Sequence, residues 1–275
     1  MTKNPELISS KNNTRIKQVR SLRQRRQRQL SGLFIVEGIY PIGEVVAAAF
    51  TEPARVDIEA IYYAPELLSS DFANSIIEKV SSQGVDCHAV TADVFLSIAE
   101  KENPQGIIAL AKTRNWQLHE LGPGNFSWGV ALVSPQDPGN IGTILRTINA
   151  VGASGLLTLD GGADVHHPNA VRASMGALFW HPVVNAPFSE FATWATQHGY
   201  FVYGTSAHAE KDYRQVPVYQ RPLILLMGSE REGLSPAQRD VCHELVRLPM
   251  VGRVTSLNLA VATGVMLYEI LDKVN

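Results

Sequence analysis

The sequence predicts an α/β protein, in which short strands alternate with helices along most of its 275 residues. Apolar runs such as LFIVEG (33–38) and GVALVS (129–134) have the length and composition of buried strands. Longer amphipathic segments lie between such runs, and one of them, DFANSIIEKVSSQG (71–84), has the apolar spacing of a helix. Because this alternation is present in both halves of the chain, we expect layers of helices packed on sheets.

The first half of the chain is the smaller predicted domain, residues 1–115. It opens with a basic segment, 13–30, whose apolar residues have a loose helical spacing. The elements predicted after it are strands at 33–38, 56–63, 85–90 and 106–111, and helices at 42–50 and 71–84. The stretch NWQLHELGPGNFSWG then interrupts the alternation with glycine, proline and asparagine, and residues 116–128 are predicted to be a linker.

The second half, residues 129–275, repeats the alternation. The predicted strands are 129–134, 155–159, 200–204, 222–227 and 244–248, and the predicted helices are 140–151, 169–179, 188–198, 235–242 and 256–273. Thr255 and Ser256 are the expected caps of the last helix. Its apolar residues are nearly continuous from Leu257 to Leu271, so we expect it to be mostly buried against another element or another subunit.

Length and composition argue against several classes of protein. No apolar run approaches the length that spans a membrane, and the N-terminus lacks the apolar core of a secretion signal. Cys87 and Cys242 lie far apart without CxxC spacing, so neither a disulfide framework nor a zinc site is expected. No other metal-ligand spacing is present. These features predict a cytoplasmic protein without a metal.

Positive charge is concentrated at the N-terminus. Residues 1–30 hold nine basic side chains and one acid, a local charge of +8 in a chain whose net charge is −2. This concentration favours contact with the phosphates of RNA or DNA. A solvated helix face and a cleaved transit peptide are the alternatives. The candidate RNA contacts are Arg15, Lys17, Arg20, Arg23, Arg25 and Arg26.

A glycine-containing turn, DPGNIGTILRTINAVGASG (137–155), follows the first strand of the second half. Its glycines match a dinucleotide-binding fingerprint poorly, and no acidic residue stands at the expected ribose position. Arg146 lies four residues after Gly142, so the two share a helix face, and Asn140 lies close to that turn. The alternative is that Arg146 is an ordinary surface arginine.

Two further clusters follow strands of the second half. In LILLMGSEREGLS (223–235), a strand ends at Gly228, and Glu230 could accept hydrogen bonds beyond its carboxyl end, where ligands of α/β folds bind. In LPMVGRVTSLNLAVATG (248–264), Ser256 and Asn258 stand where the last helix is expected to begin. A strand-to-helix turn is the simpler interpretation of the first of these clusters. Ordinary helix capping is the simpler interpretation of Ser256 or Thr255 in the second, but it does not account for Asn258.

In this order and at these intervals, the three clusters resemble the motifs of the SpoU (TrmH-like) family of SPOUT RNA methyltransferases. The matching residues are Asn140, Gly142 and Arg146; Gly228, Glu230, Gly233 and Leu234; Leu248, Pro249 and Met250; and Ser256, Leu257 and Asn258. Leu248 replaces a commoner isoleucine, and Arg253 adds a charge to the third loop. The N-terminal half is similar to the ribosomal-protein-L30e-like domain that often precedes this domain in ribosomal RNA enzymes.

The resemblance implies a C-terminal trefoil-knot domain with a parallel sheet, and transfer of a methyl group from S-adenosylmethionine to a ribose 2′-hydroxyl of RNA. Arg146 would be the catalytic residue, and Asn140, Glu230, Ser256 and Asn258 would orient it and the ribose. The residues expected around the cofactor are Thr205, Gly228, Leu248, Met250 and Leu257. The resemblance also implies a homodimer and, because of the L30e-like half, 23S ribosomal RNA as the substrate.

Four alternatives remain open at this point. The enzyme could confer resistance to a ribosome-targeting antibiotic, or it could methylate tRNA, although tRNA enzymes of the family usually have short extensions in place of the L30e-like half. An RNA-binding protein without catalysis is a third alternative, yet every motif residue is present. A nucleotide-dependent oxidoreductase is the fourth, and the glycine spacing disfavours it.

Overall fold

A computed structural model of the protein describes residues 7–274, which fall into two compact units. The first unit contains the described residues up to Arg114 together with Asp164–Trp180. The second unit contains Asn115–Ala163 and the chain from His181 onward. The predicted second domain contains every residue from 129 to 275. The structure differs, because one segment of the C-terminal half, Asp164–Trp180, packs into the first unit.

The first unit is built on a four-stranded mixed sheet with the order β1-β4-β2-β3. Its strands are β1 (Phe34–Glu37), β2 (Val56–Tyr63), β3 (Asp86–Ala89) and β4 (Ile107–Thr113). β2 and β3 are parallel, whereas β4 is antiparallel to both β1 and β2. The helices are α1 (Thr14–Ser21), α2 (Arg25–Ser31), α3 (Ile39–Ala49), α4 (Asp71–Ser82), α5 (Ala92–Leu96) and, from the segment Asp164–Trp180, α7 (Pro168–Ala173).

The basic N-terminal segment folds because one side of it is apolar. Asn13 caps α1 by accepting a hydrogen bond from the backbone N–H of Arg15 at 2.9 Å. Ile16, Val19 and Leu22 are fully buried and join the core of the first unit. The basic side chains therefore lie on the opposite side of the helix, which is the amphipathic arrangement expected of a surface helix.

Arg28 on α2 is an exception among these basic residues, since it is only 5% exposed. Its guanidinium pairs with Asp164 at 2.7 Å and donates to the carbonyl oxygens of Leu22 and Arg23. Burial opposes the charge of Asp164, but hydrogen bonds from the His166 backbone and from Arg28 hold the pKa of this carboxyl below its usual value. This ion pair connects the segment Asp164–Trp180 to helix α2.

We expect Arg28→Met to lower the free energy of unfolding by about 3–5 kcal/mol, because it leaves the Asp164 carboxylate buried without its charge partner. Urea denaturation followed by circular dichroism measures the change. Arg26→Met is the matched control, since Arg26 lies exposed on the same helix, and its effect should stay within about 0.5 kcal/mol. Equal effects of the two substitutions would contradict a structural role for the buried pair.

The second unit contains a seven-stranded sheet with the order β7-β6-β5-β10-β8-β11-β9, in which every neighbouring pair is parallel. Its strands are β5 (Trp128–Val133), β6 (Leu156–Leu159), β7 (Val183–Ala186), β8 (Phe201–Thr205), β9 (Lys211–Asp212), β10 (Leu223–Met227) and β11 (Glu244–Arg247). Its helices are α6 (Pro138–Val151), α8 (Phe188–Gln197), α9 (Pro236–Asp240) and α10 (Leu259–Lys273). The carboxyl ends of all the strands meet at one edge of the sheet, where ligands bind in such folds.

Residues 116–128, which the sequence predicts to be a linker, are part of the second unit. Leu121 and Phe126 are buried in the core of the second unit. Their carbonyl oxygens accept hydrogen bonds from the indole of Trp194 at 3.0 Å and from the hydroxyl of Tyr200 at 2.6 Å. The segment is irregular because glycine and proline interrupt it. It is anchored at Leu121 and Phe126, whereas Pro123, Gly124 and Asn125 between them are exposed.

The helix predicted at 169–179 is broken into two pieces. α7 ends at Ala173, and a short 3-10 helix follows at Ala177–Phe179. Between them Gly176 has a φ of +94°, and a Cβ atom there would lie 2.5 Å from the Cβ of Glu44. A left-handed glycine packed this closely ends the helix.

Strands β7 and β9 are absent from the sequence prediction. Each is short, and β9 is a two-residue strand at one edge of the sheet. A two-residue strand such as β9 leaves no alternating pattern to detect. Within residues 7–274, no helix is both long enough and apolar enough to cross a membrane.

The last helix starts later than predicted and is less buried. α10 begins at Leu259, and its cap is Asn258, so the expectation that Thr255 or Ser256 caps it is wrong. Met266, Leu267 and Ile270 are fully buried. The opposite side exposes four apolar residues, here called the α10 face: Val261, Val265, Tyr268 and Leu271.

Candidate active site and cofactor cleft

The loop after β10 closes tightly on itself. The backbones of Ser229 and Gly233 exchange hydrogen bonds of 3.2 and 3.0 Å. A Cβ atom on Gly228 would lie 2.2 Å from the carbonyl carbon of Gly233, so a side chain could not be accommodated there. This close approach explains why glycine stands directly after the buried strand, and it presents Glu230 at the tip of the loop.

Three predicted site residues form a hydrogen-bonded chain, here called the polar chain: Glu230, Asn140 and Asn258. The Asn140 amide donates to Glu230 Oε1 at 3.4 Å and accepts from the Asn258 amide at 3.0 Å. Asn140 is only 8% exposed, in the first turn of α6. The polar chain therefore joins one residue from each of the three sequence clusters, across about 90 and 118 residues of chain.

The polar chain is fixed at both ends by backbone groups. The backbone N–H of Gln136 donates to both carboxylate oxygens of Glu230 at 3.2 Å. Asn258 Oδ1 accepts from the N–H groups of Ala260 and Val261 at the start of α10. Sequence reasoning missed Gln136, because a contact through the backbone leaves no signal in the residue type. It identified Asn258 but not its capping role, which accounts for part of this asparagine's function.

Arg146 lies apart from the polar chain. Its side chain is exposed on α6, and it makes no hydrogen bond or ion pair with any other residue of the described range. The prediction that Asn140, Glu230, Ser256 and Asn258 orient Arg146 is therefore not supported by contacts within one chain. The guanidinium is instead free to meet a ligand from outside.

A cleft of about 380 Å³ lies beside the polar chain, at the carboxyl ends of β8, β10 and β11. All five residues predicted to hold the cofactor line it: Thr205, Gly228, Leu248, Met250 and Leu257. Glu230 and Ser256 from the predicted catalytic set line it as well. Ser256 is exposed and has no capping role. The volume and the mixture of apolar side chains with a few polar groups are typical of a small-molecule site.

The lining also fits the charged end of S-adenosylmethionine, which carries a carboxylate and an ammonium group. Sequence reasoning missed three basic side chains in this cleft, those of His208, Arg231 and Arg239. Arg239 is half-buried, and its guanidinium has no hydrogen-bond or ion-pair partner within residues 7–274. A partly buried cation without a partner favours an anionic ligand. Glu232 supplies a carboxylate on the same wall.

The six basic residues predicted to contact RNA divide into two groups. Arg20 donates to the Ser97 hydroxyl at 3.0 Å, and Arg23 pairs with Glu100 at 2.7 Å, so both are engaged within the first unit. The others are exposed on α1 and α2: Arg15, Lys17, Arg25 and Arg26. No cluster of side chains suited to hold a metal ion occurs in the described part of the chain.

Two family models match the chain. Residues 127–268 match the SpoU rRNA Methylase family, and residues 13–109 match an MRM3-like substrate binding domain. The second match overlaps the N-terminal segment that resembles the L30e-like domain.

Known relatives and solved structures resemble the chain over nearly its whole length. A 23S rRNA (uridine(2479)-2′-O)-methyltransferase of Streptomyces viridochromogenes is 32% identical over 90% of this chain and 85% of its own length. The 23S rRNA (guanosine(2553)-2′-O)-methyltransferase RlmP of Bacillus subtilis is 27% identical over 96% and 98%. An AdoMet-bound rRNA methyltransferase from Sinorhizobium meliloti has a TM-score of 0.86 at 31% identity, covering 96% of this chain and 97% of that one. The chain belongs to the SpoU rRNA methylase family.

Proposed function

We propose that this methyltransferase transfers a methyl group from S-adenosylmethionine to a ribose 2′-hydroxyl of 23S ribosomal RNA. The observation that carries the proposal is the polar chain, which lies next to a cleft lined by the residues expected to hold the cofactor. The relatives support the choice of RNA, since two that align with most of this chain are 23S rRNA 2′-O-methyltransferases. The first unit supports it further through its match to a substrate binding domain.

The cofactor supplies an electrophilic methyl group on a neutral leaving group, so the protein's task is to position and activate the ribose hydroxyl. A guanidinium stays protonated at ordinary pH, so Arg146 does not act as the base. It binds RNA and stabilises negative charge that develops on the 2′-oxygen. Glu230 is held by Gln136 and Asn140, and its carboxylate accepts a hydrogen bond from the ribose.

Ser256 and Asn258 place the ribose from the third cluster. Ser256 is exposed at the rim of the cleft, and Asn258 is fixed by its bonds to Asn140 and to the start of α10. Alignment of the hydroxyl within about 3–3.5 Å of the methyl carbon is the main requirement of such a displacement. A rigid chain of three side chains serves that alignment because none of them needs to reorganise during the reaction.

The exposed basic side chains of α1 and α2 bind RNA through its phosphates. We expect the triple variant Arg15→Ala, Lys17→Ala, Arg26→Ala to weaken ribosomal RNA binding and to reduce the slope of log K against log salt by about 1 per lost contact. Filter binding across a salt series measures both. Lys79→Ala is the matched control, since Lys79 is a basic residue of the same unit that lies over the Phe50 ring. A control that weakens binding as much as the triple variant would contradict the assignment.

We infer a homodimer in which the α10 face is covered by a second copy of the chain. Its four apolar residues have helical spacing, and each has between 37% and 57% of its surface exposed. Patches of this kind on an otherwise well-buried fold mark interaction sites. The family resemblance implies a trefoil knot in the second unit. A ribosomal RNA substrate supports the prediction of a cytoplasmic protein.

Incubation of the purified protein with radiolabelled S-adenosylmethionine and either 23S rRNA or total tRNA tests the function. We expect label in 23S rRNA, in a dinucleotide that resists alkaline hydrolysis because its 2′-oxygen is methylated. Label in tRNA alone would overturn the choice of substrate. Calorimetry with S-adenosylmethionine and with NAD separates the methyltransferase from the oxidoreductase alternative, and only the first should bind.

A further inference from the structure

A second cavity, of about 370 Å³, adjoins the cofactor cleft. The two share one wall, formed by Ser229, Arg231, Glu232 and Gly233. The second cavity lies beyond the carboxyl ends of β5, β6 and β10, and its other lining residues are Val133, Ser134, Gln136, Asp160, Ser235 and Gln238. Gln136 is also the residue whose backbone N–H holds Glu230, so the cavity begins where the polar chain ends.

The floor of this cavity has a strained and well-supported backbone. Ser134 and Asp160 follow neighbouring strands and have φ values of +42° and +55°. The Ser134 N–H donates to Leu159 O at 2.8 Å, its hydroxyl donates to Asp160 O at 3.3 Å, and the Ala163 N–H donates to Pro135 O at 2.6 Å. Left-handed residues other than glycine persist only where surrounding contacts hold them, and they cluster at ligand sites. The cavity is therefore preformed.

Three side chains of the cavity use only some of their hydrogen-bonding atoms within the protein, so the remaining atoms are available to a ligand. The Gln136 amide donates to Ser134 O at 2.7 Å, which leaves Gln136 Oε1 available to accept a hydrogen bond. Gln238 accepts from the Ser235 N–H at 2.9 Å, which leaves its NH₂ group. Asp160 accepts from the Phe188 N–H through Oδ1, which leaves Oδ2. Amides and carboxylates are the groups that read base edges, since each can match a donor and acceptor pattern.

We propose that this cavity takes the base of the nucleotide that is methylated, after that base has left its stack. The proposal rests on the proposed function. The base and the 2′-hydroxyl are carried by adjacent ribose carbons, so a ribose held at the polar chain must place its base in the space directly beside it. The second cavity is such a space, and its volume is of the size that holds small ligands.

Base selection is a property in which relatives of this chain can differ. Of two that align with most of this chain, one is named for a uridine and the other for a guanosine. Residues that perform methyl transfer cannot make that distinction, since the reacting ribose is the same in both. Groups beside the polar chain can, and each good pair of hydrogen bonds to a base contributes about 1–3 kcal/mol of discrimination.

The test uses the full-length protein and 23S rRNA transcripts in which the mapped target nucleotide carries each of the four bases. We expect the wild-type protein to prefer one base by roughly 10-fold or more in kcat/KM. Gln238→Leu and Gln136→Leu should each reduce that preference to within about 3-fold, while the affinity for S-adenosylhomocysteine, measured by calorimetry, stays unchanged. Retained affinity also shows that the variants fold.

Gln215→Leu is the matched control. Gln215 accepts a hydrogen bond from the Asp212 N–H in a capping arrangement like that of Gln238, but it does not line the cavity. It should keep the wild-type base preference. Equal methylation of all four bases by the wild-type protein would overturn the proposal, and so would a preference that survives both glutamine substitutions. If the wild-type protein methylates no position of 23S rRNA, the proposed function fails first.

Discussion

Arg146→Ala should lower the rate of methyl transfer by about 10²–10³-fold, which corresponds to the loss of one donor that stabilises a developing oxyanion. Affinity for S-adenosylmethionine should remain within about 2-fold of wild type, because Arg146 does not line the cofactor cleft. The guanidinium is exposed and unpaired within residues 7–274, so its removal breaks no hydrogen bond or ion pair of the described chain. Single-turnover kinetics and calorimetry measure the two quantities separately.

Two further variants sharpen this result. Arg146→Lys keeps the charge but loses the planar pair of donors, so we expect only partial recovery of the rate. Arg247→Ala removes an exposed arginine from β11, outside the cofactor cleft, and should leave the rate unchanged. Wild-type activity in Arg146→Ala would refute the catalytic assignment. Loss of cofactor binding would instead assign Arg146 a role in holding the cofactor.

Tyr268→Asp should convert the protein from a dimer to a monomer and abolish activity. Tyr268 is 57% exposed at the centre of the α10 face, and a charge there would have to be buried in the interface without a partner. Light scattering coupled to size-exclusion chromatography gives the mass. Activity should be lost with the dimer, because contacts within one chain do not orient Arg146 toward the polar chain.

Tyr40→Asp is the control for the dimer, since it introduces the same charge at an exposed tyrosine of α3, outside the α10 face. It should leave both mass and activity unchanged. If Tyr268→Asp retained the wild-type mass, the α10 face would not be the dimer interface. If the wild-type protein itself were monomeric and active, the homodimer would be wrong.

The site was accessible to sequence reasoning because its chemistry lies in side-chain types at strand ends. Glu230, Asn140 and Asn258 were identified from three separate clusters, and the parallel sheet brings them within hydrogen-bond distance. The resemblance then identified Leu248 and Met250, which carry no chemical signal of their own and were found in the cleft. Parallel strands have their carboxyl ends at one edge, so distant turns converge there.

Other features were not accessible because they depend on tertiary contacts. The N–H of Gln136 holds Glu230, and any residue except proline has such a donor. In the sequence, Arg28 is indistinguishable from the other basic residues of its segment. Its ion pair is with Asp164, which lies 136 residues away along the chain. The apolar pattern of the last helix predicted burial, but a pattern cannot distinguish a side covered by the same chain from one left exposed.

We propose that the protein methylates a ribose 2′-oxygen of 23S rRNA through Arg146. Mapping of 2′-O-methylation across ribosomal RNA, in cells with and without this gene, tests it most directly. We expect one modified position to lose its methyl group on deletion, to regain it with the wild-type gene, and to remain unmethylated with the Arg146→Ala variant. An unchanged 23S rRNA map after deletion, or full restoration by Arg146→Ala, would contradict the claim.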